Sequence, residues 1–138
     1  MMAVIQPLTK DQHPLPGTKE ELNKIEEHVS GESLVKFGVP GTPALVEQVL
    51  SGLLAASIIH FACHGQQHPM EPLESALLLE DGKLTVSQIM KQQLPNAALV
   101  FLSACQTALG AVDLPDETIH LAAAFLFAGF RGSVATMW

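Results

Sequence analysis

Two apolar runs of the sequence each end in a side chain that can do chemistry. The run SIIHFACHG at 57–65 reaches His64, and the run AALVFLSACQ at 97–106 reaches Cys105. Each has the length of a buried strand, and two such strands lying parallel would bring both residues to one edge of a sheet. A thiol is a strong nucleophile, and a neighbouring imidazole raises its thiolate fraction or protonates the leaving group. The pattern predicts a cysteine nucleophile with a histidine base.

Gly65 follows the histidine and bears on the same chemistry. It has no side chain to obstruct a substrate, so its backbone N–H could donate to an oxyanion, with the N–H of Cys105 as second donor. A purely structural interpretation of His64 and Cys105 stays open. Cysteine is often buried, and a histidine at a strand end is often only hydrogen-bonded.

The neighbouring candidates are weaker. Cys63 adjoins His64, so on a strand it faces the other way, and we expect a core residue, with a redox-sensitive thiol as the alternative. His60 lies inside an apolar run and is expected to be a hydrogen-bonded core histidine. A zinc site could be drawn from the two cysteines with His60, His64 and His68, but no paired ligand spacing supports it. We therefore predict no metal and no cofactor.

Three carboxylates follow the Cys105 run: Asp113, Asp116 and Glu117. Carboxylates are favoured at a helix start by the helix dipole, and this is the simpler interpretation. The functional interpretation is an acidic wall of a substrate cleft that would select a basic side chain.

The overall composition sets the class of protein. The chain has 138 residues, which predicts one domain, and a formal charge of −7 argues against nucleic acid or an anionic membrane as partner. No apolar run reaches the ~18 residues of a transmembrane helix, and no signal-peptide pattern opens the chain. We expect a soluble cytoplasmic protein whose two cysteines are free thiols.

Strands alternating with helices predict an α/β fold with a mostly parallel sheet. Two capping boxes, Thr18 with Glu21 and Thr85 with Gln88, predict helix starts, and Thr42 followed by Pro43 predicts a third. A last helix ending at Ala128 is apolar almost all round. We expect it to begin at 116 or 117, to be buried centrally, and to be capped by Gly129.

Several segments together resemble the CHAT domain, a caspase-like domain often found behind tetratricopeptide repeats. It belongs to the clan of cysteine peptidases that includes caspases, separase and gingipains. The resemblance covers nearly the whole chain. The matching segments are LPGTKEEL at 15–22, HFACHG at 60–65, SALLLEDGKLT at 75–85, FLSACQTALG at 101–110, LPDETIHLAAAFLFAGFRG at 114–132 and SVATMW at 133–138.

The resemblance implies a caspase-like α/β/α sandwich in which His64 and Cys105 are the catalytic pair. An acyl-enzyme would form at Cys105, the amides of Gly65 and Cys105 would make the oxyanion hole, and the 113–117 acidic group would lie near the P1 side chain. Family members usually continue past the Met-Trp position, so the domain is expected to be incomplete at its C-terminus. The implied partners are a protein or peptide substrate and a repeat-containing sensor region or partner chain.

Three functions follow from these features. The first is a cysteine endopeptidase domain that uses His64 and Cys105. The second is a catalytically inactive CHAT-type interaction or regulatory module. The third is a thiol redox or metal site, which needs Cys63 and Cys105 within reach of each other.

Overall fold

The computed structural model describes residues 1–68, 70–106 and 118–135, with the backbone alone at 105, 106 and 118–120. Strands and helices alternate through most of this part of the chain. The strands are β1 (Met2–Ile5), β2 (Val35–Phe37), β3 (Ile58–Gln66), β4 (Ala76–Leu78), β5 (Lys83–Thr85), β6 (Leu99–Gln106) and β7 (Gly132–Ala135). The helices are α1 (Gly17–His28), α2 (Val46–Ala55), α3 (Val86–Met90) and α4 (Thr118–Ala128).

The strands form one sheet that is mostly parallel, as predicted. β1 pairs in parallel with β2 and β3, and β6 pairs in parallel with β3 and β7. The antiparallel pairs are β3 with β4 and β4 with β5. β3 and β6 are therefore central strands, and they are the two strands that end in His64 and Cys105.

One edge of β3 changes partner along its length. β1 pairs with residues 59–62, and β4 pairs with residues 64–66. β6 lies along the other edge over residues 58–65. The backbone at His64 therefore has a paired strand on each side, and the histidine lies within the sheet rather than beyond its end.

Helices cover both faces of the sheet, which gives the three layers of a caspase-like α/β/α sandwich. We call the side of Ala3, Ile5 and Ala62 the α1 face, because Leu22 and Ile25 of α1 pack there. The opposite side carries the larger core and is covered by α2, α3 and α4, and we call it the three-helix face. Its buried strand residues are Met2, Val4, Ile59, Phe61, Cys63, Leu77, Leu84, Val100 and Leu102.

The capping box predicted at the start of α1 is wrong. The helix begins at Gly17 with Pro16 as its N-cap, and no side chain caps it. The Thr18 hydroxyl instead donates to the Leu15 carbonyl at 2.8 Å. The Glu21 carboxylate does not bond to the helix start but to His60 and Ser103 of the sheet.

The other helix predictions have mixed outcomes. α2 begins at Val46 rather than at Thr42, because the Val46 N–H donates to the Asp81 carboxylate at 2.9 Å and so finds its cap in another loop. The capping box of Thr85 and Gln88 is confirmed at the start of α3.

The last helix is only partly buried. Phe125 of α4 is fully buried, but Phe127 is 73% exposed, so the prediction of burial all round is wrong. Apolar residues lie all round the helix, so those on the side away from the sheet, such as Leu126 and Phe127, are exposed. The predicted Gly129 cap is confirmed, with φ of +121° and the Phe130 N–H bonded to the Phe125 carbonyl. The predicted start at 116 or 117 lies outside the described residues.

No helix in the described ranges is both long enough and apolar enough to cross a membrane.

Candidate functional site

His64 is buried in β3 and its ring is fixed by one hydrogen bond. Its Nε2 atom lies 2.7 Å from the backbone carbonyl oxygen of His13, in the loop before α1. A carbonyl oxygen only accepts, so the Nε2–H donates. In the neutral ring the proton is therefore on Nε2, and Nδ1 carries a free lone pair.

The Nδ1 atom of His64 is buried and has no hydrogen-bond partner among the described residues. A buried acceptor without a partner is costly, and the described residues hold three other buried polar atoms in this state: Thr9 Oγ1, Gln67 Nε2 and Ser133 Oγ. A proton donor brought to this position would satisfy it. The ring is thus arranged as a base with one nitrogen held and the other available.

The backbone brings His64 and Cys105 opposite each other. Their Cα atoms are partners in the parallel ladder between β3 and β6, which pairs residues 58–65 with 99–106. Paired residues of neighbouring parallel strands lie on the same face of the sheet, and the strands are about 4.8 Å apart. The two residues predicted from the sequence to meet are therefore neighbours across one strand pair.

Gly65 lies beside this pair but alternates to the three-helix face, opposite Gln106. A methyl group built on Gly65 would meet the Ala104 Cβ at 3.7 Å and the Leu121 Cδ1 at 3.8 Å. Both are ordinary van der Waals distances, so packing does not require a glycine here. Its predicted role as an oxyanion donor stays a prediction, as does that of the Cys105 amide.

Cys63 belongs to the core, as predicted. It is fully buried on the three-helix face, and burial raises the pKa of its thiol to about 12. Desolvation disfavours the thiolate, so this sulfur is a poor nucleophile at neutral pH.

His60 is hydrogen-bonded, as predicted, but it is only partly buried rather than a core residue, and its partner was not foreseen. Its Nε2 lies 2.8 Å from Oε2 of Glu21, and the Ser103 hydroxyl donates to Oε1 of the same carboxylate at 3.0 Å. One carboxylate of α1 therefore contacts both central strands.

Glu21, Ser103 and His13 were not predicted from the sequence. Glu21 carries a weak signal, because it lies among the positions of α1 that face the sheet, next to Leu22. Ser103 carries none beyond its place two residues before Cys105. His13 acts through its backbone carbonyl, so the type of its side chain cannot reveal it.

Asp113, Asp116 and Glu117 lie outside the described residues, and the acidic wall stays a prediction. Across 1–68, 70–106 and 118–135, no group of three His, Cys, Asp or Glu residues is placed to hold a metal ion. A cavity of about 590 Å³ lies beside α1 on the α1 face. It is lined by Gly17, Glu20, Glu21, Lys24, Ile25 and His60.

Comparison with known proteins agrees with the fold and the motifs. The family model described as the CHAT domain matches residues 2–138, which is nearly the full chain. A search of curated proteins finds no match. The parallel sheet and the three layers are consistent with the caspase-like architecture of this peptidase-related family. The chain belongs to the CHAT domain family.

Proposed function

We propose that this chain is a caspase-like cysteine endopeptidase domain that cleaves protein substrates with His64 and Cys105. The observation that carries the proposal is the register of β3 and β6, which pairs these two residues. The ring of His64 adds support, because its Nε2–H is engaged by His13 and its Nδ1 is buried and unpaired within the described chain.

The proposed reaction begins with proton transfer. The Cys105 thiol gives its proton to Nδ1 of His64, and the thiolate attacks the carbonyl carbon of the scissile bond. The imidazolium keeps its Nε2–H bond to the His13 carbonyl, and the thiolate carries the opposite charge. The amides of Gly65 and Cys105 stabilise the oxyanion.

Collapse of the tetrahedral intermediate breaks the C–N bond. His64 returns its proton to the leaving amine, and an acyl-enzyme remains as a thioester at Cys105. Water then attacks the thioester with His64 as base, which releases the acid product and the thiol. We propose that Asp113, Asp116 and Glu117 favour a basic P1 side chain.

The test is cleavage of a fluorogenic peptide library that varies P1. We expect thiol-dependent cleavage, strongest with Arg or Lys at P1, and a loss of at least about 10³-fold in Cys105→Ala. Cys63→Ala is the matched control, because it removes the other thiol on the opposite face and should retain cleavage. Cleavage that persists in Cys105→Ala, or a folded wild type that cleaves no member of the library, contradicts the proposal.

An inactive interaction module is the second candidate, and exposed apolar side chains favour it. Phe127 of α4 is 73% exposed and Val134 of β7 is 50% exposed. Apolar groups of this size on a surface are common in protein–protein contacts. On this alternative the chain forms oligomers in size-exclusion chromatography that Cys105→Ala leaves unchanged, and the library is not cleaved. A monomer that cleaves peptide excludes it.

A further inference from the structure

Glu21 joins three elements of the fold through one carboxylate. It projects from α1 with its side chain 36% exposed. Its Oε2 accepts from His60 of β3 at 2.8 Å, and its Oε1 accepts from Ser103 of β6 at 3.0 Å. An ionised carboxylate only accepts, so both partners donate. Charge-assisted hydrogen bonds of this kind are the stronger ones, and this pair spans the two strands that carry the proposed catalytic residues.

The order of the three groups excludes a second catalytic triad. In a serine nucleophile the imidazole lies between the hydroxyl and the carboxylate, where it takes the hydroxyl proton. Here the carboxylate lies between Ser103 and His60, so the ring does not reach the hydroxyl. The network is suited to holding elements in place rather than to activating Ser103.

The network lies on the same face as the proposed catalytic pair. His60 and His64 are four residues apart in β3, and Ser103 and Cys105 are two residues apart in β6. Alternate residues of a strand share a face, and two residues advance a strand by about 7 Å. Glu21 therefore anchors α1 to the sheet close to the site, without itself being at the reacting atoms.

The loop before α1 extends this anchor to the site. His13 lies in that loop, and its carbonyl oxygen accepts from Nε2 of His64 at 2.7 Å. At the junction between this loop and α1, the Thr18 hydroxyl donates to the Leu15 carbonyl at 2.8 Å. A shift of α1 relative to β3 and β6 would carry the His13 carbonyl away from the ring.

We propose that Glu21 is a positioning residue that holds α1, and with it the His13 carbonyl, against His64. The proposal rests on the proposed peptidase function, since its purpose is to keep the Nε2–H tautomer of His64. When the carboxylate is lost, we expect α1 and the loop before it to shift, which weakens the bond from the His13 carbonyl that keeps the proton on Nε2. Nδ1 is then no longer held as the acceptor for the Cys105 thiol.

The experiment compares Glu21→Ala with Glu20→Ala, its neighbour on the same helix, which lines the same cavity and is exposed. Both substitutions remove one negative charge. We expect Glu21→Ala to lower kcat by about 10²-fold with KM within about twofold, because misplacing a catalytic group by about 1 Å has this effect. Glu20→Ala should leave both constants unchanged. Glu21→Gln keeps the length and one acceptor oxygen, and should fall between the two.

The second readout is the imidazole NMR spectrum of His64 in the ¹⁵N-labelled chain. The wild type and Glu20→Ala should show a protected Nε2–H, and Glu21→Ala should show it lost to solvent exchange. The proposal is overturned if Glu21→Ala keeps both kcat and this resonance. If Glu21→Ala does not fold, Glu21→Gln decides by the same two criteria.

The NMR readout also separates the two proposals. If the wild type cleaves no peptide, the peptidase function fails, and the spectrum still tests Glu21. Loss of the Nε2–H in Glu21→Ala but not in Glu20→Ala then supports the positioning role, and an unchanged spectrum overturns it.

Discussion

The two faces of β3 differ in what their side chains contact. On the three-helix face, Phe61 and Cys63 are fully buried in a core closed by α2, α3 and α4. On the α1 face, His60 and His64 of the same strand hydrogen-bond to α1 and to the loop before it. The nine residues of β3 thus contribute to the core on one face and to the candidate site on the other. On the three-helix face the side chains enter a dry core, and on the α1 face His60 and His64 make polar contacts on either side of the buried Ala62.

Phe61→Ala tests the three-helix face of β3, and we expect it to give the largest loss of unfolding free energy. Phe61 is fully buried and its ring lies 5.4 Å from that of Phe125. Truncating such a ring leaves a cavity and costs about 3–5 kcal/mol of unfolding free energy. The measurement is urea unfolding followed by circular dichroism. Phe101→Ala is the matched variant, since Phe101 lies on the α1 face against His60 and is only partly buried, and it should cost less than half as much. Equal losses would remove the distinction between the faces.

Cys63 gives a second test, through pH. Its pKa is raised by burial from the ordinary 9.0 to about 12, so above pH 9 the unfolded chain releases a proton that the folded chain keeps. Stability conferred by the neutral thiol is therefore complete below pH 9 and declines as pH rises from 9 toward 12. Between pH 8 and 10.5 the wild type should lose about 2 kcal/mol more than Cys63→Ala. The measurement is urea unfolding of both proteins across this range, where parallel pH profiles would show that this thiol is not held neutral by the core.

Gly65→Ala should give the smallest change. A methyl group at this position meets Ala104 and Leu121 at ordinary distances, so we expect the unfolding free energy to change by less than about 1 kcal/mol. Gly38→Ala is a useful contrast, because Gly38 has φ of +79° and a methyl group there would overlap the Ile5 carbonyl. The two melting temperatures give the comparison. A large fall in the melting temperature of Gly65→Ala would mean that packing requires the glycine. Packing rather than catalysis would then account for glycine at this position.

The sequence was sufficient to predict a mostly parallel sheet and the meeting of the two candidate residues in it. Continuous apolar runs identified β3 and β6, and the rule that parallel strands bring their carboxyl ends together predicted the meeting of His64 and Cys105. Cys63 could be assigned to the core because neighbouring residues of a strand face opposite ways. The strands and the alternation of their side chains follow from local pattern, and the meeting of the two residues adds one general rule of parallel sheets.

The contacts made by the loop and helix before the site could not be predicted. Glu21 had a plausible local partner in Thr18, and only the tertiary packing of α1 shows that it bonds to His60 and Ser103 instead. His13 contributes a carbonyl oxygen, which every residue has. Such contacts depend on the position of a whole element, and spacing along the chain does not encode it.

The ladder between β3 and β6 has a consequence for how the domain assembles. His64 and Cys105 are about forty residues apart in the chain, and the hairpin of β4 and β5 and the helix α3 lie between them. Contacts of such large sequence separation form late, since the closure of the intervening loop must precede them. The bond between His64 and the His13 carbonyl spans 51 residues, so both neighbours of the His64 ring come from distant parts of the chain. Neither contact is local, so the base, the carbonyl that holds it and the nucleophile come together only in the completed sheet.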